Sequence, residues 1–256
     1  MDAALPRFGQ VLAPPGWRSV ELISDLHLQA SEPATFEAWR SYMRDTAADA
    51  VFILGDLFEV WVGDDAAAQP GFAADCAAVL QATSAARPVF FLHGNRDFLV
   101  GSAFLQSCGV TLLEDPSVLD FAGRRWLLSH GDALCLADTD YLRFRQQVRQ
   151  AGWQRDFLAK PLAERQAIGR AMREQSEARK QPDSGWADVD SGAALAWLAA
   201  AGADVLVHGH THRPARHALD AVRERIVLTD WDASAVPPRL QALRLDSAGA
   251  QRIPLA

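Results

Sequence analysis

The sequence predicts an α/β fold carrying a helical insertion, and three observations lead there. Short apolar runs alternate with stretches of helical periodicity. Several of those runs stop abruptly on residues with metal-binding side chains. A stretch of about forty residues in the middle of the chain has no strand signal at all. The length of 256 residues fits one large domain or two small ones and is ample for a buried core. A composition of 49% hydrophobic residues with eight Trp excludes disorder.

Taken in order, residues 1–17 read as a loose N-terminal arm, and the domain is expected over 18–256. Val20–Ser24 is a strand that runs straight into Asp25. Thr35–Ala48 places Phe36, Trp39, Tyr42 and Met43 at helical spacing. Val51–Leu54 is a buried strand ending at Gly55-Asp56, and Phe72–Ala86 is a helix. Pro88–Leu92 is the next strand and ends at His93-Gly94-Asn95. Leu119–Phe121 and Arg125–Leu128 flank Ala122-Gly123-Arg124, a hairpin signal. The second arm leads into Ser129-His130-Gly131-Asp132. Val205–Val207 leads into His208-Gly209-His210-Thr211-His212, and Ile226–Leu228 and Leu240–Leu245 are later strands.

The stretch 141–180 reads as helices, within an insertion expected at about 136–185. Its ten Arg and Lys against four acids give +6, so the rest of the chain sums to −13 from the total of −7. Apolar residues such as Phe144, Trp153, Phe157 and Ile168 are interleaved. The insertion reads as a basic, partly apolar cap, or more plainly as a solvated amphipathic helix pair.

Charge and composition exclude several classes. An acidic chain lacks the basic footprint of a general nucleic-acid binder. No apolar run approaches the roughly 18 residues of a membrane span. Pro6, Arg7, Pro14 and Pro15 interrupt any signal-peptide core. Three scattered cysteines cannot make a disulfide framework and read as buried thiols of a reducing compartment.

Five strand endings far apart in sequence carry side chains of metal-ligand type, and in α/β sheets ligands sit beyond the carboxyl ends of strands. Asp25 and His27 are two apart and in an extended segment point the same way. Asp56 offers two oxygens and can bridge two ions. Asn95 offers an amide oxygen, His130 follows the fourth strand, and His210 and His212 repeat the two-residue spacing. Nitrogen and oxygen donors without thiolate suit Mn²⁺, Fe, Zn²⁺ or Mg²⁺ rather than a structural Cys–zinc site. Singly, each segment is an ordinary turn or a solvated loop; five in series at strand ends are not.

Asp25-x-His27, Gly55-Asp56, Gly94-Asn95-Arg96-Asp97, His130-Gly131-Asp132 and Gly209-His210-Thr211-His212 resemble the five motifs of the calcineurin-like metallophosphoesterases. The resemblance spans about 20–231. It implies a β-sandwich flanked by helices, with two divalent ions per chain, Mn²⁺ being favoured. One ion would be held by Asp25, His27, Asp56 and His212, the other by Asp56, Asn95, His130 and His210. Catalytic roles would fall to Asp56, Asn95, Arg96, His130 and His210, while His93, His208 and His217 are taken as structural. Longer segments, such as Ile53–Asp65, His93–Leu99 and His208–Pro214, resemble the branch of that family acting in lipid A biosynthesis. That branch cleaves the pyrophosphate of a UDP-linked diacylated glucosamine by attack of metal-activated water on the α-phosphorus, giving UMP and a diacylated glucosamine 1-phosphate.

Arg96 stands where many relatives carry a proton-donating His. Arginine stays charged and is a poor acid, but it grips phosphate bidentately. A phosphate leaving group needs little protonation, so Arg96 favours a pyrophosphate substrate; a salt bridge to Asp97 is the plainer reading. The resemblance implies substrate contacts at Asn95, Arg96, Asp138, Tyr141, Ser176 and His210. The segment after Ser176 is shorter than the family pattern, so Arg179 and Lys180 are the expected cationic partners. Asp232 replaces a His that often follows the Trp, and its role is open. A basic amphipathic cap and a lipid substrate together predict peripheral attachment to an anionic membrane surface, at the cytoplasmic face of the bacterial inner membrane. No nucleic acid and no obligate protein partner is expected. The alternatives are another metallophosphoesterase acting on nucleotide or phosphodiester substrates, and a scaffold that keeps the fold without catalysis.

Overall fold

In a computed structural model, two six-stranded sheets face each other across a shared apolar layer. The structure describes residues 5–179 and 187–255, the side chains of 175–179 excepted. In the first sheet, β1 (Gly9–Leu12), β6 (Ser117–Phe121), β7 (Arg124–Ser129), β8 (Val205–His208), β10 (Glu224–Val227) and β9 (Arg216–Ala218) lie in that order. In the second, the order is β12 (Gly249–Pro254), β11 (Gln241–Asp246), β2 (Ser19–Ile23), β3 (Ala50–Leu54), β4 (Val89–Leu92) and β5 (Val110–Leu112). β2, β3, β4 and β5 pair in parallel, as do β7, β8 and β10.

Alternation along each strand sorts side chains between layers. Ala50, Phe52 and Leu54 of β3 enter the layer between the sheets, where they meet Trp126, Leu128, Val205 and Val207. Val51 and Ile53 point the other way, onto α1 (Pro33–Asp45) and α2 (Phe72–Ser84), in a cluster that also takes Phe104 and Leu105 of α3 (Ser102–Ser107). Such a strand is buried on both faces and so reads as an unbroken apolar run. α1 starts with Pro33 in its first turn, where a missing N–H costs nothing, and buries Thr35, Trp39, Tyr42 and Met43 along one face. On the outside of the first sheet, α7 (Ser191–Ala201) packs Ala194 and Leu198 against Val118, Leu127 and Leu206. α7 begins at Asp190, which accepts a bond from the Ala193 amide, and ends at Gly202 in the left-handed region.

The expected β-sandwich flanked by helices is the architecture observed. The expected loose arm is not. Residues 9–12 form β1, parallel to β6, with Val11 and Trp17 packed on the layer between the sheets. The Trp17 ring meets Phe52 and Phe90 edge-on at 6.4 and 6.1 Å. β6 presents an open edge, and a four-residue strand closes it without any long apolar run to announce it. Within the expected insertion, α4 (Thr139–Val148), α5 (Ala151–Leu158) and α6 (Leu162–Arg179) follow in succession. No helix among the described residues is long and apolar enough to cross a membrane.

Candidate metal centre

The parallel strands β2, β3, β4, β7 and β8 all end at the same edge of the sandwich, and the loops that leave them stay in register. The Asp25 amide donates to Gly55 O (3.1 Å) and the His27 amide to Asp56 O (3.0 Å). Across the first sheet, the Gly209 amide donates to His130 O at 3.0 Å. Two bonds tie the sheets together at this edge. Both Asp25 oxygens lie 3.0 Å from the His210 amide, and His130 Nδ1 lies 3.0 Å from the Leu54 carbonyl. The carbonyl requires the proton on Nδ1, so Nε2 is the ring atom turned into the site, able to bind an ion once its own proton is displaced.

All seven donor side chains converge there. His27 Nε2 lies 3.2 Å from His212 Nε2, which is 3.3 Å from Asp25 Oδ1. Asn95 Oδ1 lies 2.9 Å from His130 Nε2 and 2.8 Å from His210 Nδ1. A single oxygen of Asp56, Oδ2, is 3.9 Å from His27 Nε2 and 3.7 Å from His130 Nε2, so it stands between the two halves. Asp25, His27 and His212 form one group with ligand atoms close enough to share an ion; Asp25, Asp56 and His130 form another. Nitrogen and oxygen donors crowded this tightly, with Asp25 and His130 fully buried, fit hard or borderline divalent cations.

Backbone strain marks the same residues. Among the described residues, six non-glycine positions have positive φ, and five of them are Asp25, His27, Asp56, His210 and His212. Such conformations cost of order 1–3 kcal/mol each and persist where surrounding contacts impose them. Gly55 and Gly94 allow the crowding: Gly55 sits at φ 85°, and a Cβ on Gly94 would overlap the amide and carboxylate of Asp56.

Charge is balanced by the imidazoles. Burial alone would raise the Asp25 carboxyl, but facing His212, His130 and His27 hold it well below the usual carboxylate range. Burial opposes protonation of His130, yet Asp56, Asp25 and Asp132 push it up to about 9. Burial takes His27 and His210 down to about 4.

Several supporting residues were not singled out from the sequence. Asp97 accepts from the amides of Leu57 (2.7 Å), Gly94 (2.9 Å), Asp56 (3.3 Å) and Phe58 (3.4 Å), stapling the Asp56 loop to the Asn95 loop. Burial and the nearby Asp56 push its carboxyl up to about 7. With those bonds made, Asp97 is not held by the Arg96 side chain, whose Nη1 lies 3.8 Å from Glu59 Oε1. Glu59 Oε2 faces His27 Nδ1 at 3.0 Å, favouring the tautomer that leaves Nε2 free for the site. The only sequence signal for Glu59 is a charge inside the apolar run Leu57–Val62. His208 is buried, with Nδ1 on Gly209 O (2.9 Å) and Nε2 receiving Arg225 (3.2 Å), a structural role as expected.

The expected substrate contacts divide. Tyr141 stacks at 6.0 Å on the His210 ring and donates its hydroxyl to buried Asp132. Asp138 is exposed and caps α4 by accepting from the Tyr141 amide at 3.0 Å. Ser176 and Arg179 lie outside the described side chains, and Lys180 lies outside the described residues. Asp232 has an account: its Oδ1 accepts from the Ser234 and Ala235 amides, and its Oδ2 pairs with Arg239 at 3.2 Å.

The chain is similar to known proteins in sequence and in fold. The calcineurin-like phosphoesterase family model matches residues 20–214. A UDP-2,3-diacylglucosamine hydrolase from Chromobacterium violaceum is 45% identical, covering 93% of this chain and 99% of the relative. Another of that name from Xanthomonas axonopodis pv. citri is 45% identical over 91% of this chain and 98% of its own. A solved dimetal phosphatase from Danio rerio aligns with a TM-score of 0.47 at 13% identity, over 93% of this chain and 99% of that one. Matched over most of its length by the family model and by relatives of nearly the same extent, the chain belongs to the calcineurin-like phosphoesterase family.

Proposed function

We propose that this chain hydrolyses the pyrophosphate bond of UDP-2,3-diacylglucosamine to UMP and 2,3-diacylglucosamine 1-phosphate, water attacking the α-phosphorus. The observation that carries the proposal is the convergence of seven N and O donors around Asp56 Oδ2, with Arg96 directly beside Asn95. Relatives that match nearly the whole chain bear the name of that hydrolase.

Asp25, His27, Asp56 and His212 would hold one ion, and Asp56, Asn95, His130 and His210 the other, Mn²⁺ being our assignment. Two divalent ions so placed supply a nucleophile from water at neutral pH and stabilise charge on the phosphoryl oxygens. The chain's own residues supply the rest. The Leu54 carbonyl sets the His130 tautomer, and the Glu59 carboxylate stands 3.0 Å from His27 Nδ1. Arg96 sits where a guanidinium can grip a phosphoryl group, and it does not serve as the acid. The leaving group is itself a phosphate, so no proton donor is required. Beyond Glu59, a cavity of about 390 Å³ is lined by Leu28, Phe58, Trp61 and Phe72, with Arg170 and Arg173 of α6 at its wall. Apolar walls with cations beside a phosphate site suit an acylated sugar phosphate. With a lipid substrate, the chain would work as a peripheral protein at the cytoplasmic face of the inner membrane.

Phosphorus NMR of products formed in ¹⁸O-water tests the reading. The label is expected in UMP alone. Label in the lipid phosphate, or turnover of simple phosphodiesters without release of UMP from the lipid substrate, would overturn it.

A further inference from the structure

We propose that a polar groove on the His27–His212 flank of the metal centre is the subsite for the nucleoside half of the substrate. This rests on the reading that the substrate carries a UDP group. The groove has a volume of about 320 Å³, at the small end of the roughly 300–1,000 Å³ usual for ligand sites. His27 and His212 form its inner wall. Glu32 and Thr35, from the start of α1, form one side, and the loop after β10, from Asp230 to Arg239, forms the other.

Position is the first argument. A diphosphate held at its α-phosphorus sends two substituents away from the metal centre. The acylated sugar phosphate is expected in the apolar cavity beyond Glu59, which meets the groove at Gln29, Glu59 and Arg173. The polar end of the groove, from Glu32 to Arg239 beside His27 and His212, is left for the nucleoside.

Chemistry is the second. Of the three arginines that line the groove, Arg96 and Arg173 lie against Glu59, which leaves Glu32, Asp230 and Asp232 with Arg239 at the other end. Carboxylates repel phosphate but accept from ribose hydroxyls and from a pyrimidine N3–H. Arg239 is held between Asp230 (2.9 Å) and Asp232 (3.2 Å), with Nη1 not engaged by either, and is 44% exposed. It can therefore donate to a pyrimidine carbonyl without first being ordered. The loop that presents it is itself fixed, since Asp232 and Arg239 exchange backbone bonds of 2.9 and 3.0 Å.

An orphaned donor is the third. Trp231 lines the groove and is only 4% exposed, and its indole N–H has no hydrogen-bond partner. Buried donors are normally satisfied, so one left over beside a cavity indicates a missing acceptor.

Calorimetric titration of the Mn²⁺-loaded protein with UMP, ribose 5-phosphate and inorganic phosphate tests the subsite. Wild type should bind UMP more than tenfold tighter than inorganic phosphate. Arg239→Ala should weaken UMP by about tenfold, the worth of one hydrogen bond to a charged group, with phosphate affinity unchanged. Ser234→Trp should weaken UMP similarly by filling the groove; Ser234 is exposed, and its backbone amide donates to Asp232 Oδ1. Wild-type UMP affinity in both variants, or no preference for UMP over phosphate, would overturn the proposal. UMP binding that depends on Arg239 in a protein unable to cleave UDP-2,3-diacylglucosamine would uphold the subsite and overturn the substrate reading. Cleavage of that substrate at unaltered KM by both variants would do the reverse.

Discussion

Asp56 occupies the one position where a single carboxylate oxygen faces both halves of the donor set, and its amide is fixed by Asp97. Asp56→Ala should therefore lose both ions together, which elemental analysis reads directly, and turnover should fall by roughly 10³-fold or more. Partners that only orient a ligand matter less. Glu59→Gln should weaken Mn²⁺ binding by roughly 10–100-fold while the fold stays intact, measured by competition with a chelating dye. His208 governs a different property. Burial first, then Arg225, keeps it neutral down to about pH 3, whereas in the unfolded chain it takes up a proton near 6.5. The native state thus binds fewer protons between those values, and stability must fall as pH drops through that window. The slope is at most about 1.4 kcal/mol per pH unit for each such group. Urea unfolding at pH 7, 6 and 5 should show this loss, and His208→Gln should flatten it. At this scale the ligands were legible because polar side chains stood where apolar strands stopped. The roles of Glu59, Asp97 and Asp132 were not, because what identifies them is a partner in another loop, and periodicity carries no information about that.

Elements that are buried on both faces, such as β3, announce themselves in the sequence, whereas β1, β5, β9 and β12 do not. Each of these is an edge strand, short or half-exposed, and its partner supplies what its own side chains lack. The helix α4 shows what an element adds to a site that its sequence cannot reveal. Tyr141 and Arg145 both reach Asp132, two residues beyond His130, the arginine at 2.8 Å. At its far end Arg149 donates to Gly94 O at 2.9 Å and lies 5.5 Å over the Phe98 ring. One helix thus straps the His130 loop to the Asn95 loop. Arg145→Ala would leave the Asp132 carboxylate buried beside Asp115 with its main cation gone. A cost of about 3 kcal/mol is expected for breaking such a pair. Hydrogen exchange should show the amides of Thr139–Val148 opening while those of β3 stay protected.

Across the whole molecule, the charge asymmetry read from the sequence takes on a second meaning. The insertion is basic and the remainder acidic, which suggested a surface for anionic lipid. Much of that positive charge faces inward instead. Arg145 meets Asp132, Arg149 meets Gly94 O, and Arg173 meets Glu59. Arg165, only 3% exposed, meets Val62 O and Asp65. The cations fasten the cap to an acidic body, and what the cap turns outward includes the exposed apolar side chains Leu158 and Met172. Two terms would then drive binding to a membrane: the residual charge, which salt screens, and apolar insertion, which it does not. Sedimentation with vesicles containing phosphatidylglycerol separates them. Replacing Leu158 and Met172 together by Ser should lower the bound fraction at both low and high salt. If binding instead vanishes above about 0.3 M salt, where the screening length falls well below 10 Å, and ignores the double substitution, the contact is purely electrostatic. If no vesicle binding occurs at either salt, peripheral attachment through the cap is wrong, and the lipid must reach the site by another route.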